Sequence, residues 1–226
     1  MSHRSSAFDP RPFKIFCLAV LLSVGICGAS SPSDAAVLSG VLRDQYGTAV
    51  PNQWVFLYNP SYGRVAVATD TAGVFVLDVA PESYVLTVST NNPYILDNSA
   101  VPQNYGADVP DFDLTTNRIQ DLTLPTISVN VRVEDRWGRP VPGALVYICQ
   151  SYSRFEVFPG GGTVDGASCD SRPTDGAGMV RGATLFPNAV SGEITVTPPP
   201  GSSLPAMVFS TPGANGGETF TTVLGR

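Results

Sequence analysis

Lysine and histidine are almost missing from this chain. Its 226 residues contain one histidine, His3, and one lysine, Lys14, both within the first fourteen positions, so the sequence from Ala36 onward has neither. Without imidazole there is no Ser-His or Cys-His nucleophilic pair and no histidine metal site, and without lysine there is no Schiff-base chemistry. The charge left after Ala35 is ten arginines against seventeen carboxylates, a net charge of −7. Such a surface suits neither nucleic acid nor anionic lipid, because affinity for both rests largely on neutralising phosphates. The expectation is a chain without cofactor, metal or catalytic role, and without a nucleic-acid partner.

Long apolar runs are also scarce. The one present is "IFCLAVLLSVGICGA" at 15–29, preceded by Arg4, Arg11 and Lys14 against Asp9. That is the charge and length pattern of a secretory signal, and the run is short for a membrane span. Ser33 and Ala35 suit cleavage before Ala36, with a site nearer Ala29 as the alternative. Ile26, just before Cys27, is too bulky for a lipoprotein signal, and "SLPAM" at 203–207 lacks the Thr-Gly of a sortase signal. Residues 1–35 are therefore expected to be a signal peptide, and the rest an exported protein, extracellular or at the cell surface, with no stable membrane insertion.

Of four cysteines, only Cys149 and Cys169 lie beyond this leader. An even pair in an exported chain reads first as a disulfide, whereas a metal site would need more ligands than two thiolates.

Helical periodicity is absent after the leader, and 22 glycines and 20 prolines punctuate the chain. What replaces it is alternation, twice over. "VNVRVED" at 129–135 alternates valines with polar residues, as a half-buried strand does, and "LSGVLRD" at 38–44 is its counterpart. Each runs into a turn and a proline: "DQYGTAVPNQWVFLY" from Asp44 and "DRWGRPVPGALVYIC" from Asp135. "TDTAG" at 69–73 returns as "TDGAG" at 174–178, each followed by a strand, a Pro-containing bend and a further strand. Short strands at this spacing, separated by Asp, Gly and Pro turns, mean a β-sandwich made twice.

These motifs resemble the carboxypeptidase regulatory-like domain, a relative of transthyretin-like (prealbumin-like) and collagen-adhesin B-type repeats. The first repeat matches through Asp44, Gly47, Pro51, Asp70, Gly73, Pro81 and Tyr84, the second through Asp135, Gly138, Pro142, Asp175 and Gly178, with no tyrosine after Pro187. The resemblance implies an all-β fold of two tandem Ig-like, seven-stranded sandwiches, commonly accessory or spacer modules and sometimes grouped with carbohydrate-binding folds. The expected division is 36–125 and 126–226. Lysine-based isopeptide cross-links and the histidine-dependent enzymes of related sandwiches are excluded by composition.

The repeats differ in one place. From Asp44 to Thr69 is 25 residues and from Asp135 to Thr174 is 39, so the second carries 14 more. Cys149 aligns with Tyr58, and Cys169 falls in the insertion, so a disulfide would close a loop stabilised by about 3 kcal/mol of chain entropy. The insertion is either a functional loop or an extra hairpin from "RFEVF" to "GTVDG" around Gly160–Gly162.

Three groups of residues are candidates for a site. In "WVFLY" at 54–58, Trp54, Phe56 and Tyr58 share the face opposite Val55 and Leu57, where they could stack on sugar rings, enter the core or pack against the other repeat. Packing between repeats is the expectation for that row. Tyr152, Phe155 and Phe158 form a second aromatic group in the insertion. Asp108, Asp111 and Asp113 form an acidic stretch with neither the glycine nor the terminal Glu of an EF-hand loop, and read as a solvated strand edge. Carboxylate-only catalysis would draw on Glu82, Glu134, Glu156 or Glu193, which form no motif. The functional expectation is a secreted structural or interaction module, with an extracellular protein or a polysaccharide as partner; the alternative is a carbohydrate-binding protein using the aromatic groups.

Overall fold

The structure is a computed structural model that describes residues 35–90, 101–161 and 164–225. The expected leader, apart from Ala35, and the segment 91–100 lie outside the described residues. Ser33–Arg226 forms one compact unit.

Every regular element among the described residues is a strand. The first half holds β1 (Ala36–Asp44), β2 (Gln53–Asn59), β3 (Gly63–Ala68), β4 (Val74–Val79), β5 (Glu82–Thr90), β6 (Asn104–Leu114), β7 (Arg118–Ile119) and β8 (Leu122–Leu124). The second holds β9 (Ile127–Asp135), β10 (Leu145–Phe155), β11 (Val164–Pro173), β12 (Met179–Leu185), β13 (Ser191–Thr197), β14 (Met207–Pro212) and β15 (Thr219–Leu224). Pairing is the same in both halves. β1 lies between antiparallel β4 and parallel β7 and β8, just as β9 lies between antiparallel β12 and parallel β15. The opposing layers run β3-β2-β5-β6 and β11-β10-β13-β14.

Those two layers are not separate. β6 pairs with β11, from Asp108↔Asp165 to Asn104↔Cys169, so the halves share one antiparallel sheet of eight strands in the order β14-β13-β10-β11-β6-β5-β2-β3. The inserted residues make this join. They lengthen the β10–β11 hairpin, with Phe155 opposite Val164, and carry β11 out to β6.

Alternation explains the two cores. Val55, Leu57, Leu86 and Val88 point inward against Leu38, Leu42, Phe75 and Leu77, while Val146, Ile148, Ile194 and Val196 do the same against Val129, Val131 and Val133. The first core also takes Phe155, Val157, Phe158 and Phe186 from beyond residue 125. Phe186 meets Tyr105 edge-on at 5.4 Å and Phe155 at 4.5 Å, and Phe158 meets Phe112 edge-on at 6.0 Å. Gln103 clamps the join with its side-chain amide, donating to the Ser171 carbonyl at 3.0 Å and accepting from the Ser171 N–H at 3.1 Å.

The repeated Thr-Asp motif is local scaffolding. Asp70 accepts from the N–H groups of Ala72 and Val74, and Asp175 from those of Ala177 and Met179, all at 2.8–2.9 Å. Thr69 and Thr174, both buried, donate their hydroxyls to the carbonyls of Val50 and Val141 at 2.8 and 2.7 Å, tying each motif to the proline-bearing segment. Gly73 and Gly178 close the turns at φ of +74° and +72°. A Cβ there would lie 2.5 Å from the Leu42 carbonyl oxygen or 2.7 Å from that of Val133.

Two predictions follow from the turns. Gly178→Ala meets both an unfavourable φ and a backbone contact and should cost about 2 kcal/mol or more, read as a fall in Tm of roughly 4–8 °C for a chain of this size. Asp175 is held below the usual aspartate range, first by the Met179 N–H, and Asp113 likewise, first by the Thr115 N–H. A depressed folded pKa gives stability that is complete above the unfolded value and is lost as pH falls through the folded one. The urea midpoint should therefore drop below about pH 4, and less steeply in an Asp113→Asn, Asp175→Asn double variant.

Candidate functional site

The eight-stranded sheet has an inner face, covered by the two smaller sheets, and an outer face. Strand register sets what stands on the outer face. One cross-strand row runs Ala68, Trp54, Ser89, Gly106, Ala167, and the next runs Ala66, Phe56, Thr87, Asp108. A third passes through Asn104, Cys169, Cys149, Glu193 and Ser210.

Small residues where β6 meets β11 leave a hollow. Gly106, Asp108, Ser151, Tyr152, Gly166 and Ala167 line a shallow depression of ≈ 470 Å³. Its rim depends on an irregularity in β10: between Gln150 and Ser153 the strand carries one residue more than β11, and Tyr152 takes a φ of +56°. A bulge of this kind re-aims a side chain, and Tyr152 is left 68% exposed. On the floor, the Thr87 hydroxyl donates to Asp108 Oδ1 at 2.6 Å. Chemically this is a weakly acidic trough with one aromatic wall.

Trp54, Phe56 and Tyr58 do share the face opposite Val55 and Leu57, which are fully buried. Among the described residues the expected packing of that row against the second half is not found. β5 and β6 separate β2 from the join, and the row stands on the outer face. Trp54 and Phe56 are half-buried and Tyr58 is 46% exposed. The Arg64 guanidinium covers the Phe56 ring at 3.5 Å, a cation–π contact that removes one ring face from any ligand.

The second aromatic group is not a cluster. Tyr152 points out, whereas Phe155 and Phe158 are buried in the first core, because each apolar ring gains more from burial beside Phe186 or Phe112 than from an exposed loop. The insertion is thus the hairpin, not a free loop.

The acidic stretch belongs to β6, a strand paired on both sides at 106–108 and without a β11 partner beyond Asp108. Asp108 is therefore inside the sheet rather than on its edge. Asp111 sits at a bulge with φ +53°, and Asp113 caps Thr115 with bonds from its N–H and hydroxyl at 3.0 and 2.9 Å. Among the described residues no group of three or more His, Cys, Asp or Glu is placed to hold a metal ion. Glu82 and Glu193 lie on strands of different halves, Glu134 is engaged by Arg132 at 2.6 Å, and Glu156 follows β10, so no carboxylate pair of the four is brought together on one element.

Cys149 and Cys169 are bonded, directly opposite one another on β10 and β11 with Cα atoms 4.1 Å apart. Sequence reasoning missed Gly106 and Ala167, which make the floor; a glycine in the interior of a strand was the available signal.

No protein-family model matches the chain, and no curated protein matches it. Solved structures do. The Bacillus anthracis TIE protein matches at 14% identity and TM-score 0.30, over 84% of this chain and only 33% of that one. The shaft pilin SpaA from Lactobacillus rhamnosus GG, as a D295N mutant, matches at 9% identity and TM-score 0.34, covering 85% of this chain and 99% of that one. A putative adhesin from Bacteroides ovatus matches at 10% identity and TM-score 0.39, covering 90% and 94%. With TM-scores below 0.5, the likeness stops short of a shared chain trace.

The disulfide fastens the hairpin that supports both Tyr152 and the join. A Cys149→Ser, Cys169→Ser double variant should lose about 3 kcal/mol of stability by chemical denaturation, and the wild type in reductant should match it.

Proposed function

We propose that this chain is a non-catalytic structural or interaction module that works at or beyond the cell surface. The observation that carries the proposal is the shared sheet. Two equivalent strand sets are fused through β6 and β11, with aromatic rings of the second half completing the core of the first. Such a join suppresses hinge motion and suits a spacer or a rigid platform. A cross-strand disulfide and the expected leader agree with an oxidising destination outside the cytoplasm.

A second reading, a carbohydrate-binding protein of the envelope or matrix, is favoured by the trough alone. Tyr152 offers an open ring, Asp108 an acceptor, and Trp54 stands in the same cross-strand row as the floor residues Gly106 and Ala167. Aromatic planes beside a carboxylate are suited to sugar rings and their hydroxyls.

A depletion assay separates the two. The unit from Ser33 to Arg226 is mixed with insoluble polysaccharides and with whole cell envelopes, beside Tyr152→Ala and a Trp54→Ala, Phe56→Ala, Tyr58→Ala variant whose folding is verified by circular dichroism. The structural reading expects no saturable retention on polysaccharide, and envelope binding, if seen, that is lost on protease treatment of the envelopes. Saturable polysaccharide binding abolished by either variant overturns it in favour of the glycan reading.

A further inference from the structure

The join inside this chain is a pairing between one strand of each repeat, and the same two strands are left over at the ends. In pairing pattern, β14 holds in the second half the place of β6 in the first, and β3 holds in the first half the place of β11 in the second. β6 and β11 are bonded to each other. β3 and β14 form the two free edges of the eight-stranded sheet, with no strand on their outer sides among the described residues.

Burial shows what the free edges lack. Inward residues of β6, namely Tyr105, Ala107 and Val109, are at most 4% exposed where β11 and its hairpin cover them. Met207 and Phe209, inward on β14, are only half-buried, although they pack on the second core. At the other edge, Val65 stands opposite the fully buried Leu57 on the inward side of β3, yet it is 38% exposed. Each edge thus ends in an unfinished apolar row. Neither edge carries the usual deterrents: β14 has no charged residue, its proline is confined to the terminal Pro212, and the one charge on β3, Arg64, is laid over Phe56 on the outer face.

Strand direction fits as well. Every neighbour in the sheet is antiparallel and the number of strands is even, so β3 and β14 run in opposite senses. A second copy placed by translation would set its β3 antiparallel to the first copy's β14, with inner faces on the same side.

We propose that the partner of these edges is a second copy of this chain, joined head to tail through β14 of one molecule and β3 of the next, so that the sheet continues from copy to copy. The contact is heterologous and does not close on itself. It is weaker than the internal join, because β3 lacks the hairpin extension through which β11 reaches β6. Pairing must then use Gly63–Ala68 itself, in a register that keeps Val65 and Val67 inward beside Met207 and Phe209. One strand pair is a small interface, of the kind expected for weak, concentration-dependent contacts. Each added copy would lengthen the sheet by about 38 Å, eight strands at the usual spacing of about 4.8 Å. The inference goes beyond the function proposed above and holds for either reading of it.

The test is sedimentation equilibrium on the Ser33–Arg226 unit over a wide concentration range, for wild type, Val65→Lys and Phe209→Lys, with Val208→Lys in reserve should Phe209→Lys fail to fold. Wild type should form a ladder of species without a limiting size. Each variant alone, with one edge blocked by an inward or edge lysine, should associate at least about tenfold more weakly. An equimolar mixture of the two restores one good edge on each molecule and should give dimers and nothing larger. A wild type that stays monomeric throughout overturns the proposal. So does a β3 variant that still dimerises alone, which would mean β14 pairs with itself, and so does a mixture no more associated than its components.

Discussion

Strand pairing between β6 and β11 is the constraint on which the rest of this molecule depends. Each repeat, taken as a strand pattern, has a core-facing layer of four strands with two edges, and exposed edges are a standing invitation to pair. Here one edge from each repeat is spent on the other. Five residue pairs make the bond, from Asp108↔Asp165 to Asn104↔Cys169, and the aromatic seam of Tyr105, Phe186 and Phe155 seals it on the inner side. The backbone pairing fixes direction and register, and the buried rings supply most of the free energy, since each is nearly or fully removed from water.

The trough is a by-product of the same pairing. At the point where two strands from different repeats meet, the outer face carries Gly106 and Ala167, small residues that let the backbones lie close and leave nothing above them. A Cβ on Gly106 would meet no atom within 4 Å. The bulge at Tyr152 exists because β10 has one residue more than β11 over this stretch. Site and join are consequently inseparable: the insertion that fuses the halves also raises Tyr152, the aromatic wall of that hollow.

Much of the fold was legible in the sequence because it is written in period-two alternation and in turn residues. Val55, Leu57, Val146 and Ile148 fall inward where alternation places them, and the two Thr-Asp motifs make the same hydrogen bonds in both halves. The disulfide was legible from an even pair of cysteines beyond the expected leader. What alternation does not encode is which strand lies beside which across repeats. Residues 164–173 read as polar insertion, and nothing local says that they reach β6. For the same reason Phe155 and Phe158 read as loop aromatics; their burial depends on a cavity that the other half leaves open. Alternation groups Trp54, Phe56 and Tyr58 on one face but leaves open whether that face is the core, the second half or the outside, which is again a question of assembly rather than of local pattern.

The seam has a consequence for the order in which the chain can fold. The first core is not complete when its own strands are made, since Phe155, Val157, Phe158 and Phe186 arrive only with the second half. A chain that emerges N-terminus first presents β6 with an unpaired edge and Tyr105 without its Phe186 contact until residue 186 has followed. Contacts of such long sequence separation form late. The first core is therefore finished only when the β10–β11 hairpin, closed by the Cys149–Cys169 bond, and Phe186 have been made and docked onto it.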